Sequence, residues 1–394
     1  MPCILLNCYE YPPSIHGGVG TFTRDLAEGL TREGWTVWVI GVYSSSLYPL
    51  SHVTNEVKNG VNIVRIPQAN TRVSLINMFI DRFRLYFYSK KLHYIHKFDI
   101  MESPESTGWY PFGSPIKPFV VRLHGAQVFF DAELSRKGSR LWHFFENLTI
   151  RNANFLVAVS KYCGNRTLEI IKYKKKFSTI YNGVDVDKIL LMATDKTEPL
   201  LTDPYIVFAN SVIPKKGIEE LLLAFNTIAV EYPTLKLVVV GKALGMKTVG
   251  QTYLSYLTTL INPDIQSRVI FTGWLAEHSD VFNYLKHAKI CIYPSHMEGQ
   301  GIAPTEAMLL GRPVIFMENG PGPEVIDDRI DGLLVNTKSI KAIEGAIKEL
   351  LLNADFCSEL GLEAVEKVKT RFNKQTWLKD NISLYSNLIN NNKK

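Results

Sequence analysis

The sequence predicts an α/β protein of two doubly wound, Rossmann-like domains, each a parallel sheet with helices on both faces. Three observations carry that prediction. Short β-rich apolar runs alternate with longer helical stretches along nearly the whole chain, the pattern of a parallel sheet with crossover helices. The alternation breaks once, over residues 191–204, which are polar, aperiodic and end in Pro204. The length of 394 residues accommodates two domains at roughly 100–200 residues each, and either half can bury its own core.

The first half opens on an apolar strand at 3–7, followed by a glycine-containing loop that runs to Gly20. Residues 21–32 read as a helix, because Phe22, Leu26 and Leu30 recur at the helical interval. Strands follow at 36–41 and 61–66, both rich in Val and Ile. A long helical stretch at 74–96 precedes strands at 98–102 and 119–123, a helix at 140–152, and strands at 155–160 and 177–181. The second half repeats the alternation. It has strands at 205–209, 235–241, 269–272, 290–293 and 313–316, and helices at 217–231, 304–310 and 340–352. The helical stretch at 374–388 lies beyond what a second sheet needs. We therefore place the first domain at 1–190, a linker at 191–204, the second domain at 205–373 and a terminal helix within 374–394. Two such domains leave a central cleft facing the C-terminal ends of their strands.

Composition narrows the function classes. Hydrophobic residues at 46% and charged residues at 21% are ordinary for a globular protein. The 44 Lys and Arg exceed the 38 Asp and Glu, giving a net charge of +6. That balance fits anionic phosphates or an anionic membrane surface. No long basic run calls for nucleic acid, and the pair Lys393-Lys394 reads as a solvated tail. Five cysteines, an odd number with no C-x-x-C pair, read as free thiols in a reducing compartment. The apolar start at 1–6 is too short for a signal peptide and lacks a basic leader. No apolar run approaches the roughly 20 residues that span a bilayer. The expected location is cytoplasmic, with peripheral attachment to the inner membrane face left open.

Several segments carry candidate chemistry. His16-Gly17-Gly18-Val19-Gly20 joins the first strand to a helix; glycines there let a ligand approach N–H groups that favour anions. The loop is too long, and Thr23 wrongly placed, for a dinucleotide fingerprint; the bland reading is a tight turn. His124, at a strand end and followed by Gly125, stands where ligands bind in such sheets, or else is structural. Pro214-Lys215-Lys216-Gly217 opens a helix, where a lysine neutralises phosphate charge or simply makes a solvated turn. Asp185 and Asp187 form a D-x-D after Asn182-Gly183; we read it as turn chemistry and expect no metal. His93 and His96 lack a third ligand and read as helix surface.

The strongest segment runs from Pro294 to Ala307. A strand ends near Pro294, a Gly299-Gln300-Gly301 turn follows, and a helix starts with Pro304 in its first turn. Glu298 and Glu306 thus bracket a backbone nest and a helix start. The nest offers N–H groups to a phosphate, and each carboxylate can accept from a sugar diol. For Glu306 alone, a helix-start carboxylate favoured by the dipole is the plainer reading.

Taken together these segments resemble the GT-B glycosyltransferases, specifically the large retaining family 4. The matching residues are Gly17-Gly18, His124-Gly125, Asn182-Gly183-Val184-Asp185, Lys216-Gly217, Glu298 and Glu306 with seven residues between, Gly311 with Pro313, and Gly322-Pro323-Glu324 ahead of Asp331-Gly332-Leu333-Leu334-Val335. They occur in the family's order between residues 11 and 335. The resemblance implies that the second domain holds the donor and that the terminal helix crosses back to the first. It also implies that Glu298 contacts the donor sugar, that the backbone of Gly299, Gln300, Gly301, Ile302 and Ala303 contacts sugar and phosphate, and that Glu306 grips the ribose diol. Lys216 and the Gly17-Gly18 N–H groups would stabilise the diphosphate, and His124 would sit beside the transferred sugar.

One position departs from the family. Asn210-Ser211 stands where Gly-Arg is usual, so Ser211 replaces a diphosphate-binding arginine. Losing such a charged hydrogen bond removes about 1.5–3 kcal/mol, part of which Lys215 is placed to replace. The implied reaction is retaining transfer of a hexose-type sugar from a nucleotide-diphosphate sugar to a sugar or lipid-linked acceptor, with no cofactor or metal. The alternatives are an epimerase or sugar phosphorylase of the same fold, or a catalytically weak nucleotide-sugar-binding subunit. Residues 77–97, rich in aromatic and basic side chains, read either as a helix packing the first sheet with its basic residues outward or as a face toward an anionic membrane.

Overall fold

The computed structural model describes all residues except 14–16, 46–47, 196–197, 249 and 393–394, and the side chain of residue 248. His16 of the glycine loop and the terminal lysine pair therefore lie outside the described residues. The chain forms two compact units: Met1–Tyr181 with Trp377–Lys394, and Asn182–Thr376.

The first unit is built on eight strands: β1 (Cys3–Asn7), β2 (Thr36–Tyr43), β3 (Thr54–Lys58), β4 (Val61–Pro67), β5 (Ile100–Pro104), β6 (Phe119–Leu123), β7 (Phe155–Ala158) and β8 (Phe177–Thr179). Their order across the sheet is β3-β4-β2-β1-β5-β6-β7-β8, all parallel except β3. The order reverses direction between β1 and β5. Side-chain alternation along β1 sends Leu5 into one core, while Ile4 and Leu6 join another. Helices α1 (Gly18–Arg32), α2 (Ser74–His96), α3 (Gln127–Glu133), α4 (Arg140–Asn152) and α5 (Lys161–Ile170) surround the sheet. Leu85 of α2 packs into the core that holds Leu5. Leu26 and Leu30 of α1 pack into the other, together with Trp377, Tyr385 and Ile389 of the C-terminal helix (Lys374–Asn392). Sheets covered on both faces in this way are the doubly wound class the alternation predicted.

The second unit has a six-stranded parallel sheet of β9 (Tyr205–Ala209), β10 (Lys236–Val240), β13 (Val269–Gly273), β14 (Ile290–Ile292), β15 (Val314–Met317) and β16 (Leu333–Val335). A small antiparallel hairpin, β11 (Met246–Thr248) and β12 (Gln251–Thr252), stands apart. The sheet order β13-β10-β9-β14-β15-β16 is the 3-2-1-4-5-6 order of dinucleotide-type sheets, with its switch point between β9 and β14. Eight helices accompany it among the described residues: α6 (Val186–Thr194), α7 (Ile218–Glu231), α8 (Tyr253–Thr259), α9 (His278–His287), α10 (Ile302–Leu309), α11 (Gly322–Val325), α12 (Ile340–Leu352) and α13 (Ala354–Arg371).

The structure alters several expected boundaries. The stretch read as a linker begins inside α6, which belongs to the second unit. Asp185 starts that helix by accepting the Lys188 N–H at 3.2 Å, so the first carboxylate of the D-x-D is an N-cap. Helix α1 starts at Gly18, three residues earlier than its apolar periodicity indicated. Strand β3 escaped notice because its sequence, TNEVK, is polar and mostly exposed at the sheet edge.

Candidate functional site

In the second unit the polar residues gather where physical reasoning places a ligand, at the C-terminal edge beside the switch point. The loop after β9 carries Asn210 to Gly217, and the loop after β14 carries Tyr293 to Gly301. Gly217 allows them to touch. Its φ is +69°, and a Cβ there would fall 1.8 Å from the Pro294 carbonyl oxygen, so no other residue fits. The His296 N–H donates to the Lys215 carbonyl at 2.9 Å, tying the loops a second time. As a result Lys216 Nζ meets Glu298 Oε1 at 2.5 Å, with each side chain only 12% exposed. Ser295 Oγ donates to the same carboxylate oxygen at 2.7 Å, and Thr337 Oγ1 holds the Ser295 carbonyl at 3.1 Å.

The charges follow from this geometry. Burial by itself would raise the Glu298 carboxyl. The Lys216 and Lys215 cations, with hydrogen bonds from Lys216 and Ser295, outweigh it and hold the group below the usual carboxylate range. Glu298 is therefore ionised at neutral pH. An ammonium has three donors and this carboxylate takes one, so Lys216 keeps capacity for a second anion.

Beyond Glu298 the turn reaches Gly301, whose φ of +105° and nearness to the Phe316 ring (2.8 Å from a would-be Cβ) again demand glycine. Gly301 is the N-cap of α10 and brings no capping side chain. The first-turn N–H groups of an uncapped helix are an anion site by composition. Gln300 has a different task from the one the sequence implied for its neighbours. Its amide accepts from the Asn182 N–H at 2.6 Å and donates to the Asn182 carbonyl at 3.1 Å, so only its main chain remains to meet a ligand.

Glu306 sits within α10 and, among the described residues, makes no ion pair. Burial pushes its carboxyl up to about 7. Ser211 lies exposed at the end of β9, its N–H donating to Asn210 Oδ1 at 2.9 Å, and brings no cation. Lys215 does act on Glu298. Reading the sequence missed Ser295, Thr337, and Glu220, which lies 3.2 Å from the ring of His296. None belongs to a pattern: each is identified only by folding β14 against α7 and the 336–339 turn.

The first unit holds the remaining candidates. Gly17 is the N-cap of α1. The Glu10 carboxylate already accepts the Gly20 N–H at 2.8 Å and lies 3.5 Å from where a Gly17 Cβ would stand. The helix start expected to greet an external anion thus has an internal one beside it, a residue the sequence reading passed over. His124 ends β6; its N–H donates to Glu105 Oε1 at 2.8 Å, and its ring meets Phe22 edge-on at 4.7 Å. Burial, then the Arg122 charge, lowers the His124 imidazole to about 3. It is neutral at physiological pH and does not store a proton. Glu105 is raised to about 8, by burial first and the Glu146 charge second, so it carries a proton behind His124.

With this geometry in hand, two family models match the chain. One, described as "Glycosyltransferase Family 4", matches residues 16–188; the other, "Glycosyl transferases group 1", matches residues 193–367. An uncharacterised glycosyltransferase of Methanocaldococcus jannaschii is 26% identical over 402 aligned positions, covering 97% of each chain. Among solved structures, a sucrose-phosphate synthase from Thermosynechococcus elongatus superposes with a TM-score of 0.79 at 19% identity, over 98% of this chain and 99% of the other. An Anabaena protein, HepE, solved in complex with UDP-glucose, gives 0.74 at 17% identity, over 98% and 100%. At these identities the structural likeness is one of fold.

Proposed function

Because this chain belongs to the GT-B glycosyltransferases of family 4, we propose that it is a retaining, metal-independent hexosyltransferase. It moves a hexose-type sugar from a nucleotide-diphosphate sugar to the hydroxyl of a sugar or lipid-linked acceptor, in polysaccharide or glycoconjugate assembly. The observation that carries this reading is the buried Lys216–Glu298 pair beside an uncapped helix start at the switch point. Fold neighbours solved with UDP and with UDP-glucose support a nucleotide-sugar donor.

Cleaving the bond from the anomeric carbon to the diphosphate leaves positive charge on the sugar and negative charge on the departing oxygen. Lys216, assisted by Lys215 in place of the missing arginine at Ser211, and the N–H groups from Gly299 to Ala303 face that negative charge. Glu298, kept ionised, accepts from sugar hydroxyls, and Glu306 accepts from the ribose diol. His124, neutral, hydrogen-bonds the transferred sugar. The acceptor hydroxyl enters on the face the nucleotide leaves, its oxygen bonds to the anomeric carbon, and its proton passes to the leaving phosphate oxygen.

We read the location as cytoplasmic. All five cysteines are free thiols, as a reducing compartment allows. Among the described residues no helix is long and apolar enough to cross a membrane.

The reading is tested by screening nucleotide sugars for thermal stabilisation and following the best one with and without acceptor. Transfer only with acceptor is expected; conversion of the donor alone would mark an epimerase, and binding without turnover a non-catalytic subunit.

Glu306 supplies a pH prediction. Its folded carboxyl, raised to about 7 by burial, keeps a proton that the unfolded chain loses near pH 4.5. The stability it contributes is therefore present below about 4.5 and is lost as pH rises to about 7. Donor affinity moves the other way, improving as pH rises through about 7 because the ionised group accepts both ribose hydroxyls. Glu306→Gln should bind donor about 10–100-fold more weakly above pH 7, the worth of one charged hydrogen bond. It should also abolish the pH step in affinity, measured by calorimetry across that range.

A further inference from the structure

Helix α2 carries Lys90 and Lys91 exposed, as expected for a basic surface helix, but departs from that arrangement at two points. Its charged pair faces inward. Asp81 accepts the Ala69 N–H at 2.7 Å. Arg82 donates to the carbonyls of Gly108 and Met78, each at 2.9 Å, and to that of Thr107, and its guanidinium lies 4.0 Å from the centre of the Phe145 ring. Tyr86 and Tyr88 pack against the core, but a row of phenylalanines faces outward. Phe79, Phe83 and Phe87 recur every four residues along one stripe, and Phe83 and Phe87 are 51% and 61% exposed. Phe112, 66% exposed, stacks on Phe83 at 6.3 Å, and Phe79 meets Phe145 of α4 at 5.5 Å. The patch is thus continuous over three segments, and a groove of about 210 Å³ lined by Phe83, Phe87, Trp109 and Phe112 opens in it.

Exposed aromatic surface of this extent calls for an occupant, and the charge around it says which. Residues 69–98, 109–118 and 134–145 carry ten Lys and Arg and a single acid, Asp81; Asp81 and Arg82 are buried, and Arg136 pairs with the buried Asp131. A second copy of the chain would bring two basic rims together and be repelled. An apolar stripe with a wholly basic rim complements the acyl boundary and headgroups of an anionic membrane.

We propose that the outer face of α2, with residues 109–113 and the first turns of α4, docks the protein onto an anionic lipid bilayer. The phenylalanines enter the acyl boundary, while Lys90, Lys91 and Arg140 lie among the headgroups. The consequence, that the acceptor is met at a lipid surface, rests on the transferase reading. The docking itself is read without any turnover, so the two fail separately.

The test is co-sedimentation of the full chain with vesicles of phosphatidylcholine, alone or with about one-third phosphatidylglycerol. Binding is expected only to the anionic vesicles, weakening as salt is raised to about 0.5 M. Phe83→Ser/Phe87→Ser should lower the partition coefficient at least about tenfold, and Lys90→Glu/Lys91→Glu by a similar factor, with thermal midpoints near the parent's and unchanged kcat on soluble substrates. Failure to sediment with anionic vesicles overturns the proposal, as does undiminished binding by the phenylalanine variant. A parent dimer in ultracentrifugation that the same variant dissociates would overturn it too, since a second copy would then cover the face.

Discussion

Replacing Lys216 by alanine should lower kcat for sugar transfer by about 10²–10³-fold, the effect of removing one preorganised group from a developing oxyanion. The ammonium is held by a 2.5 Å contact with Glu298 and is 12% exposed, so it needs little reorganisation as charge builds on the diphosphate. The measurement is turnover of the best nucleotide sugar at saturating acceptor. An enzyme that kept full turnover would sink the electrostatic account. A merely structural role for Lys216 is separated by pH. In the parent, Glu298 lies below its ordinary range, so its contribution to stability is present above the unfolded pKa and is lost as pH falls through the folded one. In Lys216→Ala burial remains and its largest opponent is gone, so the carboxyl rises and the penalty grows as pH rises. The stability difference between parent and variant should therefore widen from about pH 4 to about pH 8. The kcat deficit persists where that difference is small, if Lys216 acts on the reaction rather than on the fold.

The parts of this molecule that were legible in the sequence are those built from local pattern. Alternating apolar runs disclosed both doubly wound sheets, because a strand buried on both faces must be apolar throughout, as LVVV of β10 is. The turn at 299–301 and the helix after it were legible because Gly301 and Pro304 mark a helix start by their own backbone chemistry. Side chains matched across sequence distance were not. Ser295, which fixes the Glu298 oxygen, and Gln300, which is spent on Asn182, look interchangeable with their neighbours until the loops meet. The reading of α2 shows the same limit. Its residue types were seen correctly, but a helix with aromatic and basic side chains on every face has no periodicity that says which face is buried, and Arg82 is turned inward by carbonyls of the 107–108 segment.

One signal was present and unused: single charges inside otherwise apolar strands. Glu102 in β5 and Arg122 in β6 are such charges, and they pair in the core. Arg122 Nε and Nη2 donate to the two Glu102 oxygens at 2.7 and 3.0 Å, and Nη2 also reaches Asn381 Oδ1 at 2.5 Å and Tyr385 Oη at 3.2 Å. Tyr385 donates to Glu102 Oε2 at 2.6 Å. Both partners from the C-terminal helix are buried, so this network, not apolar packing alone, fixes where that helix lies on the first sheet.

Glu102→Ala should therefore destabilise the protein by about 3–5 kcal/mol, because it strands a guanidinium that has no exposure to water. The loss should fall first on the helix: amide exchange over residues 377–392 should accelerate more than exchange in β1 or β2. Glu102→Leu combined with Arg122→Met removes the stranded charge as well as the pair, and should recover most of the stability, since a buried ion pair is worth little against well-packed apolar groups of similar volume. If the double variant instead matched the single one in urea unfolding, the helix would be held by the hydrogen bonds to Asn381 and Tyr385 rather than by charge. Glu102→Gln in the parent background, which keeps an acceptor for the Tyr385 hydroxyl and the Arg122 guanidinium, would then return more stability than removing the charges does.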